Sequence, residues 1–228
     1  MKAKVKVKLE RLEKLKQKDK PFSCSRLIVG LGNPGQPYVS TRHNAGFMLL
    51  DFLIEQGELL SERVVEHPLY TLYQLGDPFQ SYLMKPLTFM NRSGLAVASF
   101  LETNPLPQEN IAVVYDDLSL SHGRLKWRPS GSSGGQKGIA NIMDVLGTTQ
   151  ITRLKLGIGS PPDDQSASEY VLAPFTEQEF KIFKKLMGKA ADSLVCWAQH
   201  GISIAMSRFN GLNVHQIDLE NREELSIE

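Results

Sequence analysis

Cysteine and long apolar runs are scarce in this sequence, and their scarcity excludes several classes of protein. The two cysteines, Cys24 and Cys196, are too few and too widely spaced for a disulfide framework or a metal-ligand motif. The longest apolar stretches, such as residues 45–50, are far shorter than the ~20 residues that a membrane span needs. No apolar segment typical of a secretory signal follows the N-terminus. We therefore expect a soluble protein of a reducing compartment, the cytoplasm.

Charge is unevenly distributed, although the formal net charge is only +1. Residues 1–25 contain nine Lys and Arg against three Asp and Glu, whereas residues 214–228 contain one against five. This pattern predicts a flexible basic arm (1–25), one domain (26–213) and an acidic tail (214–228). The arm is either a solvated appendage or an attractant for nucleic acid. Organellar import is not favoured, because transit peptides are rich in Arg and Ser and poor in acidic residues.

Strand and helix patterns alternate along the domain. Short apolar or alternating runs predict strands at 26–31, 64–75, 81–85, 111–115, 124–128 and 153–158. Amphipathic patterns predict helices at 47–54, 93–102, 138–146 and 177–209, the last interrupted at Gly201. The order predicts an α/β fold, a single domain with a mixed, mostly parallel twisted sheet covered by helices on both faces.

Glycine-rich loops follow several predicted strands, at the positions where α/β sheets place their ligands. GLGNPG at 30–35 has the glycine spacing of a dinucleotide-binding fingerprint, but Pro34 and Pro37 favour a turn over the required helix. GSSGGQKG at 131–138 lacks the Gly-Lys-Ser/Thr ending of a phosphate loop. Both are better interpreted as turns that let a substrate approach the backbone. A dinucleotide oxidoreductase remains a distant alternative.

A series of motifs occurs in a characteristic order. They are VGLGNPG at 29–35, TRHNAG at 41–46, KPLTFMNRSG at 85–94, VVYDDLSL at 113–120 and RLKLGIG at 153–159. Together they resemble the bacterial-type peptidyl-tRNA hydrolase family over nearly the whole domain. The resemblance implies hydrolysis of the ester that joins a peptide to the 3′-terminal ribose of tRNA, by a monomer without metal, cofactor or covalent intermediate.

The resemblance also implies roles for individual residues. The catalytic histidine of the family falls on His43, and its orienting carboxylate falls on Asp116. An imidazole with an ordinary pKa of ~6.5 can take a proton from water near neutral pH. Peptide-contacting positions fall on a further set: Asn33, Tyr38, Met90 and Asn91. Without the resemblance, each would have an ordinary interpretation as a helix-start, turn or core residue.

Candidate RNA contacts form a separate group. Lys126 and Arg128 are two apart on a predicted strand and so point to one face, where the family holds the tRNA 5′-phosphate. Lys155 falls on a third basic position. Without the resemblance, these side chains would be interpreted as a solvated cationic face.

Two departures from the family pattern leave two hypotheses open. Lys137 replaces an active-site asparagine of Gly-His-Asn-Gly, and Ser119 stands where a second acid is usual. The first hypothesis is an active esterase in which Lys137 contacts substrate. The second is a non-catalytic RNA-binding protein of the same fold, since some relatives are splicing cofactors. The retained set His43, Asp116, Asn33 and Asn91 favours the enzyme.

Overall fold

The computed structural model describes residues 26–55, 60–75 and 81–215. The predicted basic arm and most of the predicted acidic tail lie outside these residues. The strands are β1 (Arg26–Gly30), β2 (Leu60–His67), β3 (Tyr70–Leu75), β4 (Ser81–Pro86), β5 (Ile111–Asp117), β6 (Leu125–Arg128) and β7 (Thr152–Gly157). The α-helices are α1 (Ala45–Glu55), α2 (Ser93–Thr103), α3 (Lys137–Leu146), α4 (Ala167–Leu172), α5 (Glu177–His200) and α6 (Ile202–Phe209).

The strands form one seven-stranded sheet in the order β2-β3-β4-β1-β5-β7-β6. The four central strands, β4, β1, β5 and β7, are mutually parallel. β2, β3 and β6 are added antiparallel at the two edges. The expected α/β domain with a mixed sheet, parallel at its centre, is confirmed.

Two apolar cores lie on opposite faces of this sheet. On one face α1, α5 and α6 pack around Leu49, Trp127 and Phe183. On the other face α2 and α3 pack around Phe100 and Ile142. All seven residues of β5 are buried, because its alternate side chains enter the two cores in turn. This double burial explains why β1 and most of β5 are continuous apolar runs in the sequence.

One predicted strand, one predicted break and one unpredicted helix are explained by individual residues. The run 64–75, predicted as one strand, is an antiparallel hairpin of β2 and β3, because Pro68 has no N–H to continue a ladder. The interruption at Gly201 is confirmed, and this glycine has φ 79° where α5 ends and α6 begins. α4 was not predicted, although Ser166 and Glu169 form a capping box at its start.

The start of α1 lies close to the central strands because Gly46 has no side chain. A Cβ atom at Gly46 would collide with the main-chain atoms Leu31 N and Val114 O. The helix can therefore approach β1 and β5 closely, and the turn before it, which contains His43, is placed beside the end of β5.

Within the described ranges, none of the helices combines the length and the apolar character of a membrane-spanning segment.

Candidate active site

The carboxyl ends of three parallel neighbours, β4, β1 and β5, meet at one edge of the sheet. A 3₁₀ turn after β1 (Arg42–Asn44) carries His43, and a second after β4 (Met90–Arg92) carries Met90 and Asn91. Asp116 is near the end of β5. These residues line one cavity of about 630 Å³. Segments distant in sequence therefore converge on one cavity.

His43 and Asp116 are joined by a short hydrogen bond. The distance from Nδ1 to Asp116 Oδ2 is 2.8 Å, and only 12% of the His43 side chain and 2% of the Asp116 side chain are exposed. An ionised carboxylate can only accept, so Nδ1 carries the proton and Nε2 presents a lone pair. The pair therefore supplies a base at the wall of the cavity, with its tautomer fixed by the carboxylate.

The second oxygen of the Asp116 carboxylate is held by Gln136. Gln136 Nε2 donates to Asp116 Oδ1 at 3.1 Å, and Gln136 Oε1 accepts from the Ile139 N–H at 2.9 Å as the N-cap of α3. No sequence motif predicted a role for Gln136. Its available signal was its place at the helix start directly before Lys137.

Asn33 is fixed so that the donor side of its carboxamide is available. Its Oδ1 accepts from the Met90 N–H at 2.8 Å. Its main-chain N–H donates to Asn44 Oδ1 at 2.8 Å, and its main-chain oxygen accepts from Asn44 Nδ2 at 3.0 Å. Because Oδ1 is engaged, the amino group is the end of the Asn33 carboxamide that can donate, and Asn33 lines the cavity. Asn44, which no sequence motif singled out, has this supporting role.

The remaining predicted peptide contacts are not all at the cavity wall. Met90, Asn91 and Lys137 line the cavity. Tyr38 is outside the lining and packs edge-on against Phe89, with ring centroids 6.3 Å apart. Phe89 lines the cavity and is 55% exposed. Tyr38 therefore packs behind a side chain of the cavity wall without lining the cavity itself.

The three predicted phosphate contacts share one face of the sheet beside the cavity. Lys126 on β6 is directly opposite Lys155 on β7, and Arg128 is opposite Arg153. Arg153 is 1% exposed, and three of its hydrogen bonds go to main-chain oxygens of residues 132, 149 and 151. In the described ranges, Lys126 and Arg128 form no ion pair. The face is therefore cationic.

Lys155 differs from the other two because it is paired. Its Nζ donates to Asp117 Oδ2, and Ser119 donates to Asp117 Oδ1 from both its N–H, at 2.8 Å, and its hydroxyl, at 2.6 Å. Burial raises the pKa of Asp117, but the hydrogen bonds from Lys155 and Ser119 outweigh it, so the pKa is lowered overall. Ser119, which replaces the usual second acid, thus supports the carboxylate of Asp117.

Arg42 holds the His43 turn against the next wall of the cavity. Its guanidinium, on a side chain 6% exposed, forms two hydrogen bonds to Glu179, at 3.0 and 2.7 Å. It stacks on the ring of Tyr170 at 4.2 Å. Burial raises the pKa of Glu179, but hydrogen bonds from Arg42 and Thr176 lower it further, and the net pKa is below its ordinary value. The turn, α4 and the start of α5 are thereby joined.

The wall formed by α4 is largely apolar. Ala167, Val171 and Leu172 line the cavity there, together with Ser168. Tyr170 faces away from the cavity, and its hydroxyl donates to the main-chain oxygen of Ile158 at 2.7 Å. Within the described residues, no three His, Cys, Asp or Glu side chains cluster as metal ligands.

Known proteins match both the sequence and the fold. The family model described as peptidyl-tRNA hydrolase matches residues 27–217. The peptidyl-tRNA hydrolase of Thermus thermophilus is 39% identical over 188 residues, 82% of this chain and 97% of its own. That of Moorella thermoacetica is 42% identical over 185 residues, 81% and 97% of the two chains. The crystal structure of the Acinetobacter baumannii peptidyl-tRNA hydrolase matches with a TM-score of 0.76 at 28% identity, covering 83% of this chain and 96% of that one. The chain therefore belongs to the peptidyl-tRNA hydrolase family, as its ordered motifs indicated.

Proposed function

We propose that this protein hydrolyses the ester bond of peptidyl-tRNA and releases the peptide and the free tRNA. The observation that carries the proposal is the His43–Asp116 pair, whose Nε2 is available at a cavity lined by amide and apolar side chains. An RNA-binding protein without catalysis has no need of a histidine held in one tautomer by a buried carboxylate. Family membership supports the same activity.

The reaction follows from the proton on Nδ1. Nε2 takes a proton from a water molecule while the water oxygen attacks the ester carbonyl carbon. The ring becomes an imidazolium, which the Asp116 carboxylate stabilises at 2.8 Å. When the tetrahedral intermediate collapses, the ribose 3′-oxygen leaves and takes the proton from Nε2. The products are a peptide carboxylic acid and a 3′-hydroxyl, and no covalent enzyme intermediate is formed.

The amide and cationic side chains of the cavity supply donors for the oxygen that becomes negative during attack. Asn33 offers its amino group, and Asn91 and Lys137 lie along the same lining. Such donors stabilise developing charge because they are oriented before the reaction begins. The proposal includes a monomeric enzyme, acting in the cytoplasm where translation supplies its substrate.

The direct test is release of a labelled N-acyl amino acid from an N-acyl-aminoacyl-tRNA by the purified protein. We expect turnover that is saturable in substrate and at least about 100-fold slower in His43→Ala. Tight binding of the same tRNA without release would instead support the non-catalytic RNA-binding alternative.

Lys126 and Arg128 are proposed to hold a tRNA phosphate. Lys126 and Arg128 lie on the same face of β6, so one anion can contact both side chains. Lys155 is already paired with Asp117, so Lys126 and Arg128 are the free cations of this face within the described ranges. Phosphate contacts give affinity without sequence preference, as a substrate class of many tRNAs requires.

Replacing both Lys126 and Arg128 by alanine should weaken tRNA binding and flatten its salt dependence. Each lost phosphate contact lowers the slope of log K against log salt concentration by about 0.7 to 0.9. The rate at saturating substrate should barely change, because neither side chain lines the cavity. Binding titrations at several salt concentrations measure the slope. Lys184→Ala, on the exposed side of α5, is the matched control, and a double variant with the control's slope would refute the proposed contact.

Lys137→Ala should lower kcat/KM by roughly 10- to 100-fold, the effect of removing a hydrogen bond from a charged donor. Lys137 is the first residue of α3 and lines the cavity, where the helix N-terminus also favours an anion. Its ammonium therefore suits an acceptor-end phosphate or the ester carbonyl. Steady-state kinetics of wild type, Lys137→Ala and Lys137→Asn on one substrate measure the effect. Equal values for wild type and Lys137→Ala would show that the side chain only faces solvent.

A further inference from the structure

Gln136 is a polar side chain that connects the start of α3 to the His43–Asp116 pair. It occupies the position of the family's histidine in Gly-His-Asn-Gly, yet its two side-chain ends are both engaged inside the site. We propose that Gln136 is a positioning residue, whose amide, fixed by the first turn of α3, holds the Asp116 carboxylate that orients His43. This inference rests on the proposed function.

The orientation of the Gln136 amide is determined by the groups around it. The main-chain N–H of Ile139 can only donate, so the atom 2.9 Å from it must be the amide oxygen. The amino group is then the end that faces Asp116 Oδ1, which as a carboxylate oxygen can only accept. Its second hydrogen is directed at Met90 Sδ, 3.3 Å from Nε2. If the amide were flipped, its oxygen would face the Asp116 carboxylate oxygen, and both are acceptors. Its amino group would face the Ile139 N–H, and both are donors.

The consequence of this geometry is a carboxylate fixed at both oxygens. Oδ1 accepts from Gln136 and Oδ2 accepts from His43, while the side chain is only 2% exposed. The backbone of Asp116 is held by its pairing with Leu156 in the sheet. With one donor alone, the carboxylate could rotate about its Cβ–Cγ bond. Gln136 removes that freedom, and the direction of His43 Nε2 is set with it.

Close packing keeps Gln136 in this position. A Cβ atom at the neighbouring Gly138 would lie 2.5 Å from Met90 Sδ and 2.8 Å from Leu31 Cδ1, so the first turn of α3 is already in tight contact with the cavity floor. Gly134 and Gly135, with φ of 60° and 86°, bring the preceding loop round to this helix start. At this helix start, the Gln136 side chain makes both the N-cap of α3 and the contact to Asp116.

Gln136 also leaves the charge of the site unchanged. The charged or ionisable side chains that line the cavity are His43, Asp116, Asp117 and Lys137, together with Tyr115 on β5. Asp117 is neutralised by Lys155 of β7, and Arg42 beside His43 is neutralised by Glu179 of α5. A neutral donor on Asp116 thus fixes its geometry without adding a group that titrates. A carboxylate at residue 136 would add a negative charge beside Asp116 and so change the net charge of the site.

Two variants separate positioning from helix capping. Gln136→Ser retains an oxygen that can cap α3, but it is too short to reach Asp116. Gln136→Glu retains the length and the capping acceptor but replaces the donor by a negative charge. We expect Gln136→Ser to melt near the wild-type temperature, and both variants to lose roughly 10- to 100-fold in kcat with little change in KM, since a hydrogen bond to a charged group is lost. In Gln136→Glu, the acid limb of the kcat profile should also move to higher pH, because the new carboxylate stabilises the imidazolium.

A measurement independent of catalysis distinguishes failure of this inference from failure of the proposed function. The ¹⁵N resonances of the His43 ring report which nitrogen carries the proton, whether or not the protein is a hydrolase. We expect the Nδ1–H form in wild type and a mixture of tautomers in Gln136→Ser. A wild-type ring spectrum in Gln136→Ser, a kcat equal to wild type, or a loss confined to KM would each overturn the positioning role. Absent turnover in wild type with the expected ring spectra would reject the hydrolase and leave the positioning role intact.

Discussion

Replacing His43 by alanine should lower kcat by about 10²- to 10⁴-fold, the range found when a general base is removed. KM should change little, because Asn33, Met90 and Asn91 still line the cavity. Single-turnover release of a labelled N-acyl amino acid measures the effect without interference from product release. Asp116→Asn should also lower the rate, because an amide keeps the shape of the side chain but cannot neutralise the imidazolium.

The control for this experiment is His200→Ala, at the exposed end of α5 and outside the cavity. It should retain wild-type turnover. Thermal melts of the three variants show whether any loss of rate is a loss of fold. If folded His43→Ala kept more than about a third of the wild-type rate, another group would have to activate the water, since the expected loss is far larger.

The fold could be predicted from the sequence because its strongest signals are local. The apolar runs that form β1 and β5 are buried on both faces, and the amphipathic α3 and α5 have their polar faces outward. The hairpin at Pro68 and the short α4 were harder to predict from the sequence. A tight turn within alternating residues and a six-residue helix give weak periodicity, and only the proline and the capping box mark them.

Residues of the candidate site could be nominated from the sequence where a family motif identified them, and not where a contact depended on chain folding. His43, Asp116 and Asn33 were nominated through ordered motifs, and the structure brings all three to one cavity. Gln136 was missed, because its hydrogen bond to Asp116 joins residues that are 20 apart in the sequence and meet only in the folded chain. Glu179 was missed because it is 137 residues from its partner Arg42. No local pattern encodes such a pair.

Arg42 has structural consequences beyond its position next to His43. Its guanidinium donates at 3.3 Å to the main-chain oxygens of both Tyr170 and Ala173, in addition to its two bonds to Glu179. Removing one partner of a buried pair leaves the other charge and the carbonyl groups without their donor. Because Glu179 is 27% exposed, water can reach its carboxylate and reduce the loss.

Arg42→Met should therefore destabilise the protein by about 3 kcal/mol, the lower end of the range for breaking a buried ion pair. For a domain of this size, that loss lowers the melting temperature by roughly 6 to 12 °C. Lys181→Met is the matched control, because Lys181 lies on α5, the helix that carries Glu179. It removes an ion pair with Glu177 whose side chains are 70% and 84% exposed, and such pairs contribute little. Equal melting temperatures for the two variants would contradict a stabilising role for Arg42.

The pH dependence of the difference in melting temperature between wild type and Arg42→Met is a second test of the Arg42–Glu179 ion pair. The pKa of Glu179 is lowered in the folded protein, despite the opposing effect of burial, by its bonds to Arg42 and Thr176. A carboxyl with a depressed folded pKa contributes stability that is present above its unfolded value of about 4.3 and is lost as the pH falls through the folded value. The gap in melting temperature between wild type and Arg42→Met should therefore be constant near neutral pH and narrow below about pH 4. It should not close fully, because the bonds from Arg42 to the two carbonyl oxygens do not titrate. A gap that stayed constant down to about pH 3 would assign the stability to those neutral contacts and to stacking on Tyr170 instead of the ion pair.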